Sequence, residues 1–79
     1  MNLREALERA HAEHVILLND AGNYYYPLEV LDVCEIEAPK LLDQKVYLGY
    51  GGIWSVDASG NLKSAEPLYS IKPTQAGSE

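Results

Sequence analysis

The sequence predicts an α+β domain: one N-terminal helix followed by a four- to five-stranded antiparallel meander, bent or curled into a half-barrel. Three observations predict it. A capped stripe of Leu and Ala at helical spacing opens the chain. The β-rich segments that follow are punctuated by turn signals at Asp20–Asn23, Gly51-Gly52 and Asp57–Asn61. The length, 79 residues, allows one core and no second domain. Residues 1–71 are expected to form the domain, with 72–79 (KPTQAGSE) as a flexible tail.

The helix is expected over residues 3–13. Asn2 is a good N-cap, and Glu5 stands three places later as its capping-box partner. Leu3, Ala6, Leu7, Ala10 and His14 fall on one face. Three turns are too few for a helix to stand alone in water, so that face must dock on a sheet.

His14–Asn19 is apolar and β-rich and reads as the first strand. Tyr24–Glu37 reads as a second, long strand, because Val30, Val33 and Ile36 are β-branched and its apolar residues would surround a helical wheel. As a strand it slips phase twice, which predicts a bulge or bend. Pro27 has no N–H and predicts a strand start or edge. Lys40–Gln44 is a connection with room for one helical turn. Val46, Leu48 and Tyr50 alternate on a third strand, Gly51-Gly52 turns the chain, and Ile53–Asp57 returns it. Leu62–Ala65 can pair back, and Leu68–Ile71 can add a last edge. The expected core is Leu3, Leu7, Ile16, Leu18, Val46, Leu48, Ile53 and Trp54.

The formal net charge is −6, from 12 acids and 6 bases, and its placement is uneven. No Lys or Arg lies between Arg9 and Lys40, a stretch that holds Glu13, Asp20, Glu29, Asp32, Glu35 and Glu37. The remaining charges cancel. The whole net charge therefore sits in residues 10–39. Such a field disfavours direct binding of nucleic acid, whose phosphates need Lys and Arg, and disfavours an anionic membrane. It favours a basic protein partner and speeds encounter with it. The alternative is a solvated acidic face that only keeps the domain in solution.

The sequence offers little chemistry. His11 and His14, with Glu8 one turn back, have no third confirmed ligand, so no metal site is expected. The single cysteine, Cys34, cannot form an internal disulfide and is expected to be buried and unreactive. Glu35 and Glu37 would share one face of a strand, but no His or Ser stands near them in sequence. Gly51-Gly52 lacks the Lys-Ser/Thr of a phosphate loop. No catalytic residue and no cofactor is expected. No apolar run approaches the ~18 residues of a membrane helix, and no secretory leader is legible, so a cytoplasmic location is expected.

The aromatics are 6 Tyr and 1 Trp with no Phe. Tyr and Trp pair an apolar body with a polar tip, which suits surfaces that become buried on binding. Some of these rings must fill the core. Tyr24, Tyr25 and Tyr26 are consecutive, so at least one faces outward, beside the acidic stretch. An aromatic patch rimmed by carboxylates is the anatomy of a hot spot for a basic partner.

In size, charge and layout, carried by the lysine-free 10–39 segment with Glu29, Asp32, Glu35 and Glu37 and by Tyr24–Tyr26, the chain resembles the small acidic inhibitors of phages and mobile elements, the anti-CRISPR proteins in particular. The resemblance covers the chain in general character and rests on no shared motif, so no site residue is carried over from it. It implies a non-enzymatic, protein-binding inhibitor that occupies a basic, nucleic-acid-binding surface of a larger host complex, such as a CRISPR effector subunit, acting as a monomer or weak dimer. The alternative is a small assembly subunit that acts through self-association or a sheet edge. The residues expected to meet the partner are Tyr24, Tyr25, Tyr26, Glu29, Asp32, Glu35 and Glu37.

Overall fold

The computed structural model describes residues 1–19, 21–49 and 51–73, with the backbone alone for Lys72 and Pro73. The fold class is α+β: two helices and a turn of 3-10 helix lie on one face of an open, five-stranded antiparallel sheet. No described helix is long and apolar enough to cross a membrane.

Helix α1 (Leu3–Ala12) starts where the sequence places it. Asn2 Oδ1 accepts the Glu5 N–H at 2.9 Å, and Glu5 Oε1 accepts the Asn2 N–H at 3.1 Å. This reciprocal pair satisfies two donors that an open helix end would leave to solvent. Leu3, Ala6, Leu7 and Ala10 are all buried. The helix ends at Glu13, and His14 takes a left-handed turn (φ 58°) into strand β1 (Val15–Leu18).

Strand β1 pairs with the two-residue strand β2 (Tyr24–Tyr25). Asn19 Oδ1 holds the turn between them, accepting the N–H groups of Ala21 and Asn23 at 3.0 Å each. Asp20, part of the expected turn, lies outside the described residues.

The expected long strand over Tyr24–Glu37 is corrected here. The strand stops at Tyr25, and Pro27–Glu37 is helix α2. Pro27 occupies the first helical position, where its missing N–H costs nothing and its fixed φ suits the helix. Pro27, Val30 and Leu31 are buried and Cys34 half-buried, the i, i+3, i+4, i+7 set of an inward face. Cys34, expected to be buried, is only partly covered. A 3-10 turn (Pro39–Asp43) follows and buries Leu42; it is the helical turn expected in the Lys40–Gln44 connection, begun one residue earlier.

Strands β3 (Val46–Gly49) and β4 (Gly52–Ser55) form a hairpin closed by the Gly49–Gly52 pair. Gly52 therefore belongs to the strand and only Gly51 of the expected Gly51-Gly52 turn lies in the loop; Tyr50 lies outside the described residues. Gly52 adopts φ 154°, and a Cβ there would collide with the Tyr69 carbonyl, so no other residue fits. Beyond β4, Asp57 accepts the backbone N–H groups of Ser59 and Asn61 at 2.9 Å, and Val56 bridges to Leu62.

Strand β5 (Tyr69–Pro73) is the second correction. Leu68–Ile71 is expected at an edge, yet the sheet order is β2-β1-β5-β4-β3 and β5 is central. Lys72 and Pro73, expected in the tail, belong to it; Thr74–Glu79 lie outside the described residues. Strands β3, β4 and β5 run as the expected meander, and β1 closes on the far side of β5. The sheet stays open, with β2 and β3 as its edges. The central place of β5 comes from its pairing with β1 on one side and β4 on the other, and the distant β1 leaves no local signal in residues 68–71.

The register sorts the faces, since paired residues in an antiparallel ladder share a side. Val15, Leu17, Tyr25, Val46, Leu48, Ile53, Tyr69 and Ile71 face the helices and join the core or pack against it. Ile16, Leu18, Tyr24, Tyr47 and Trp54 take the opposite face. Leu3, Leu7, Val46 and Ile53 are core residues as expected, and Leu48 is half-buried against the core. Ile16, Leu18 and Trp54 are not in the core: Leu17 is buried in their stead, and Ile53 and Trp54 cannot share a side of one strand. The run Val-Ile-Leu-Leu carries no polar residue to set its phase, so sequence could not choose between its faces.

Candidate functional site

Helix α2 positions most of the residues expected to meet a partner. Each residue advances about 100° around the axis. With Pro27, Val30, Leu31 and Cys34 turned inward, the outward arc carries Leu28, Glu29, Asp32, Val33, Glu35, Ile36 and Glu37. All seven are exposed. The three apolar ones are exposed by 41% (Leu28), 51% (Val33) and 81% (Ile36). Ile36 sits between Glu29 and Asp32 on the wheel, at i−7 and i−4, so an apolar ridge is flanked by carboxylates.

The four expected carboxylates do not act as one row. Glu35 faces α1 and forms a salt bridge with Arg4, Nη1 to Oε2 at 2.8 Å. That hydrogen bond raises the Arg4 pKa above its ordinary value. Glu37 lies roughly 200° from Glu35 around the axis, so the expected same-face pair of Glu35 and Glu37 does not exist. Glu29 and Asp32 remain together on the outward arc, and Glu29 Oε1 accepts the Tyr26 N–H at 3.4 Å. No base lies in the last turn of α2. Its acids there oppose the negative pole of the helix, so they do not serve helix stability.

The tyrosines divide. Tyr24 and Tyr26 are exposed by 61% and 63%. Tyr26 caps α2 with its backbone, and Tyr24 stands on the helix-free face of the sheet. Tyr25 turns inward and is half-buried: its hydroxyl accepts from Asn19 Nδ2 at 3.3 Å, and its ring meets Tyr69 edge-on, centroids 6.3 Å apart. Burial, then Cys34 and Tyr25, raise the Tyr69 pKa, so its phenol stays neutral well into alkaline pH.

A groove of about 540 Å³ opens between the β2–β5 side of the sheet and α2. Tyr25 and Tyr69 line it from the helix-facing side of the sheet, Tyr24 borders it where β2 forms the sheet edge, and Glu29, Val33 and Cys34 line it from the helix. It brings Tyr24, Tyr25 and Glu29 of the expected site together; Asp32 and Glu35 are not among its lining residues.

Sequence reasoning missed Leu28, Val33, Ile36 and Tyr69. The dipeptide Tyr26-Pro27 followed by Glu29 is a helix-start signature, and read as such it would have placed the first three on a helix surface. Nothing local marks Tyr69, which reaches the groove through the non-local pairing of β5.

His11 and His14 are both exposed at the end of α1 and assemble no ligand set. Among the described residues no group of three or more His, Cys, Asp or Glu side chains is placed to hold a metal ion. No family model matches this chain, and no curated protein and no solved structure matches it.

Proposed function

We propose that this protein is a non-enzymatic binding module that covers a basic, nucleic-acid-binding surface of a larger protein and thereby blocks it. One observation carries the reading: the outward arc of α2 interleaves exposed apolar side chains (Leu28, Val33, Ile36) with carboxylates (Glu29, Asp32, Glu37) that no base on the helix offsets. Val33 and Ile36 are i, i+3 neighbours on this arc, and exposed apolar side chains grouped within a polar rim mark interaction surfaces where scattered single ones do not. A helix that bound another apolar helix would not rim the ridge with like charge. The combination suits a partner that presents Arg and Lys around apolar holes. The carboxylates replace phosphates, and charge-assisted bonds to Arg are the strong kind. Desolvated apolar anchors set the off-rate, while the acidic field sets the on-rate and its salt dependence.

In this reading the module works as the anti-CRISPR type of inhibitor does, as a monomer or weak dimer in the host cytoplasm, and a CRISPR effector subunit is one candidate partner. The second reading is an assembly subunit, favoured by the helix-free sheet face bearing Ile16, Leu18, Tyr47 and Trp54. Edge pairing supports it less: β2 has two residues, and the Val46 N–H at the β3 edge already donates to the Met1 carbonyl at 2.9 Å.

The test is capture of a partner from host lysate, followed by that partner's own nucleic-acid binding. The purified module should displace nucleic acid from it, and less so as salt rises. Glu29→Lys with Asp32→Lys should weaken capture at least ~10-fold, roughly 1.4 kcal/mol. Simultaneous binding of module and nucleic acid would contradict the proposal. A tight dimer in sedimentation that buries the open sheet face would favour the assembly reading.

A further inference from the structure

The geometry points to the groove between β2, β5 and α2 as a socket for one arginine side chain of the partner. This inference deepens the proposed function and rests on it. The groove is concave, about 540 Å³, and continuous with the outward arc of α2 through Glu29 and Val33. Its sheet side is aromatic, with Tyr25 and Tyr69 set edge to face at 73°. Such a wall presents ring faces and edges in two directions, and a cation lying against ring faces is attracted by their quadrupoles. Its helix side supplies one carboxylate, Glu29, and an aliphatic surface, Val33. No described residue that lines it is basic, so an entering cation meets no repulsion.

The lining chemistry discriminates among occupants. A phosphate or a nucleotide would find no Lys or Arg here. An apolar side chain would leave the Glu29 carboxylate facing it. Lysine is a compact, strongly hydrated charge that does not stack. A guanidinium is planar and weakly hydrated, stacks on aromatic rings and bonds a carboxylate in bidentate fashion, and its methylene stem has Val33 to lie on. Arginine matches every wall. The Arg4–Glu35 pair on the other flank shows that a guanidinium already serves as counter-ion to α2 within this chain.

The test uses amide shifts of the full chain titrated with Nα-acetyl-arginine amide and with Nα-acetyl-citrulline amide, which has the same shape and no charge. The arginine probe should shift Tyr24, Tyr25, Glu29, Val33, Cys34 and Tyr69, and the citrulline probe should bind at least ~10-fold more weakly. Glu29→Gln should lower arginine affinity at least ~3-fold, and Tyr25→Leu further, while Glu8→Gln, exposed on α1 and outside the groove lining, should not. A thermal melt reports whether Tyr25→Leu is folded; Glu29 is exposed, so its variant stands independently of that result. Equal binding of citrulline, or no effect of Glu29→Gln, would overturn the socket as an apolar slot. Shifts confined to Asp32 and Ile36, with either the single arginine or a hexa-arginine peptide, would overturn the socket and leave the acidic-helix reading standing. Silence throughout α2 with both probes would overturn both.

Discussion

The two helices are nearly equal in length, 10 and 11 residues, and they use their apolar side chains in opposite ways. Helix α1 commits all of Leu3, Ala6, Leu7 and Ala10 to the core and shows solvent only polar and small residues. Helix α2 divides its apolar residues. Val30 and Leu31 go inward, while Leu28, Val33 and Ile36 stay outside among carboxylates. Burying a Leu side chain contributes about 1.5–3 kcal/mol, and an exposed Ile contributes almost none of that. The difference teaches that the apolar face of α1 is committed wholly to the core, whereas the outer apolar residues of α2 add little to it.

The largest test of this contrast is therefore mutational. Leu7→Ala should destabilise the domain by ~2–4 kcal/mol, since Leu7 is wholly buried in the core. Ile36→Ala, at 81% exposure, should change stability by less than ~0.5 kcal/mol. Urea unfolding of both variants decides it. A cost for Ile36→Ala near that of Leu7→Ala would break the comparison.

The same contrast explains what could be read in the sequence. Helix α1 was legible because one face carries the whole pattern and the Asn2/Glu5 box marks its start. Helix α2 reads as a strand in sequence because Leu28, Val33 and Ile36, exposed on its outer side, mask the periodicity of its inner face. The β-branched residues Val30, Val33 and Ile36 then tipped the reading toward strand. Packing of Val30 and Leu31 against α1 and β1 overrides that preference. The charge of residues 10–39 and the tyrosines at 24–26 were legible from composition. The groove was not, because Tyr69 comes from a strand 35 to 45 residues beyond the other lining residues in the chain.

A smaller effect is expected at the helix starts. Asn2→Ala removes an acceptor at 2.9 Å from the Glu5 N–H and should cost about 1 kcal/mol. Glu29→Gln weakens only a 3.4 Å contact to the Tyr26 N–H and should cost less in the same melt. A larger loss at Glu29 would mean that α2 depends on its acids for its fold.

Tyr69 gives a pH test of the wall that joins α2 to the sheet. Its folded pKa is raised by burial above the ordinary phenol value, so the neutral ring is favoured in the folded state. Its contribution is complete below the ordinary value of 10.0 and is lost as pH rises through the folded pKa. Melting temperature should fall above about pH 10 for the wild type and less steeply for Tyr69→Phe. Identical profiles would show that Tyr69 is not shielded by α2. The smallest effect belongs to the Arg4–Glu35 bridge, which is solvent-screened: Arg4→Ala should leave the melting temperature within measurement error.

The central claim is that the outer face of α2 binds and does not stabilise. The direct measurement is a double variant, Asp32→Lys with Ile36→Ser, assayed for melting temperature and for affinity toward the captured partner. We predict a melting temperature within about 3 °C of wild type, the shift expected from less than ~0.5 kcal/mol in a domain this size, with at least ~10-fold weaker binding. An unchanged affinity in a variant that melts like wild type would contradict the account.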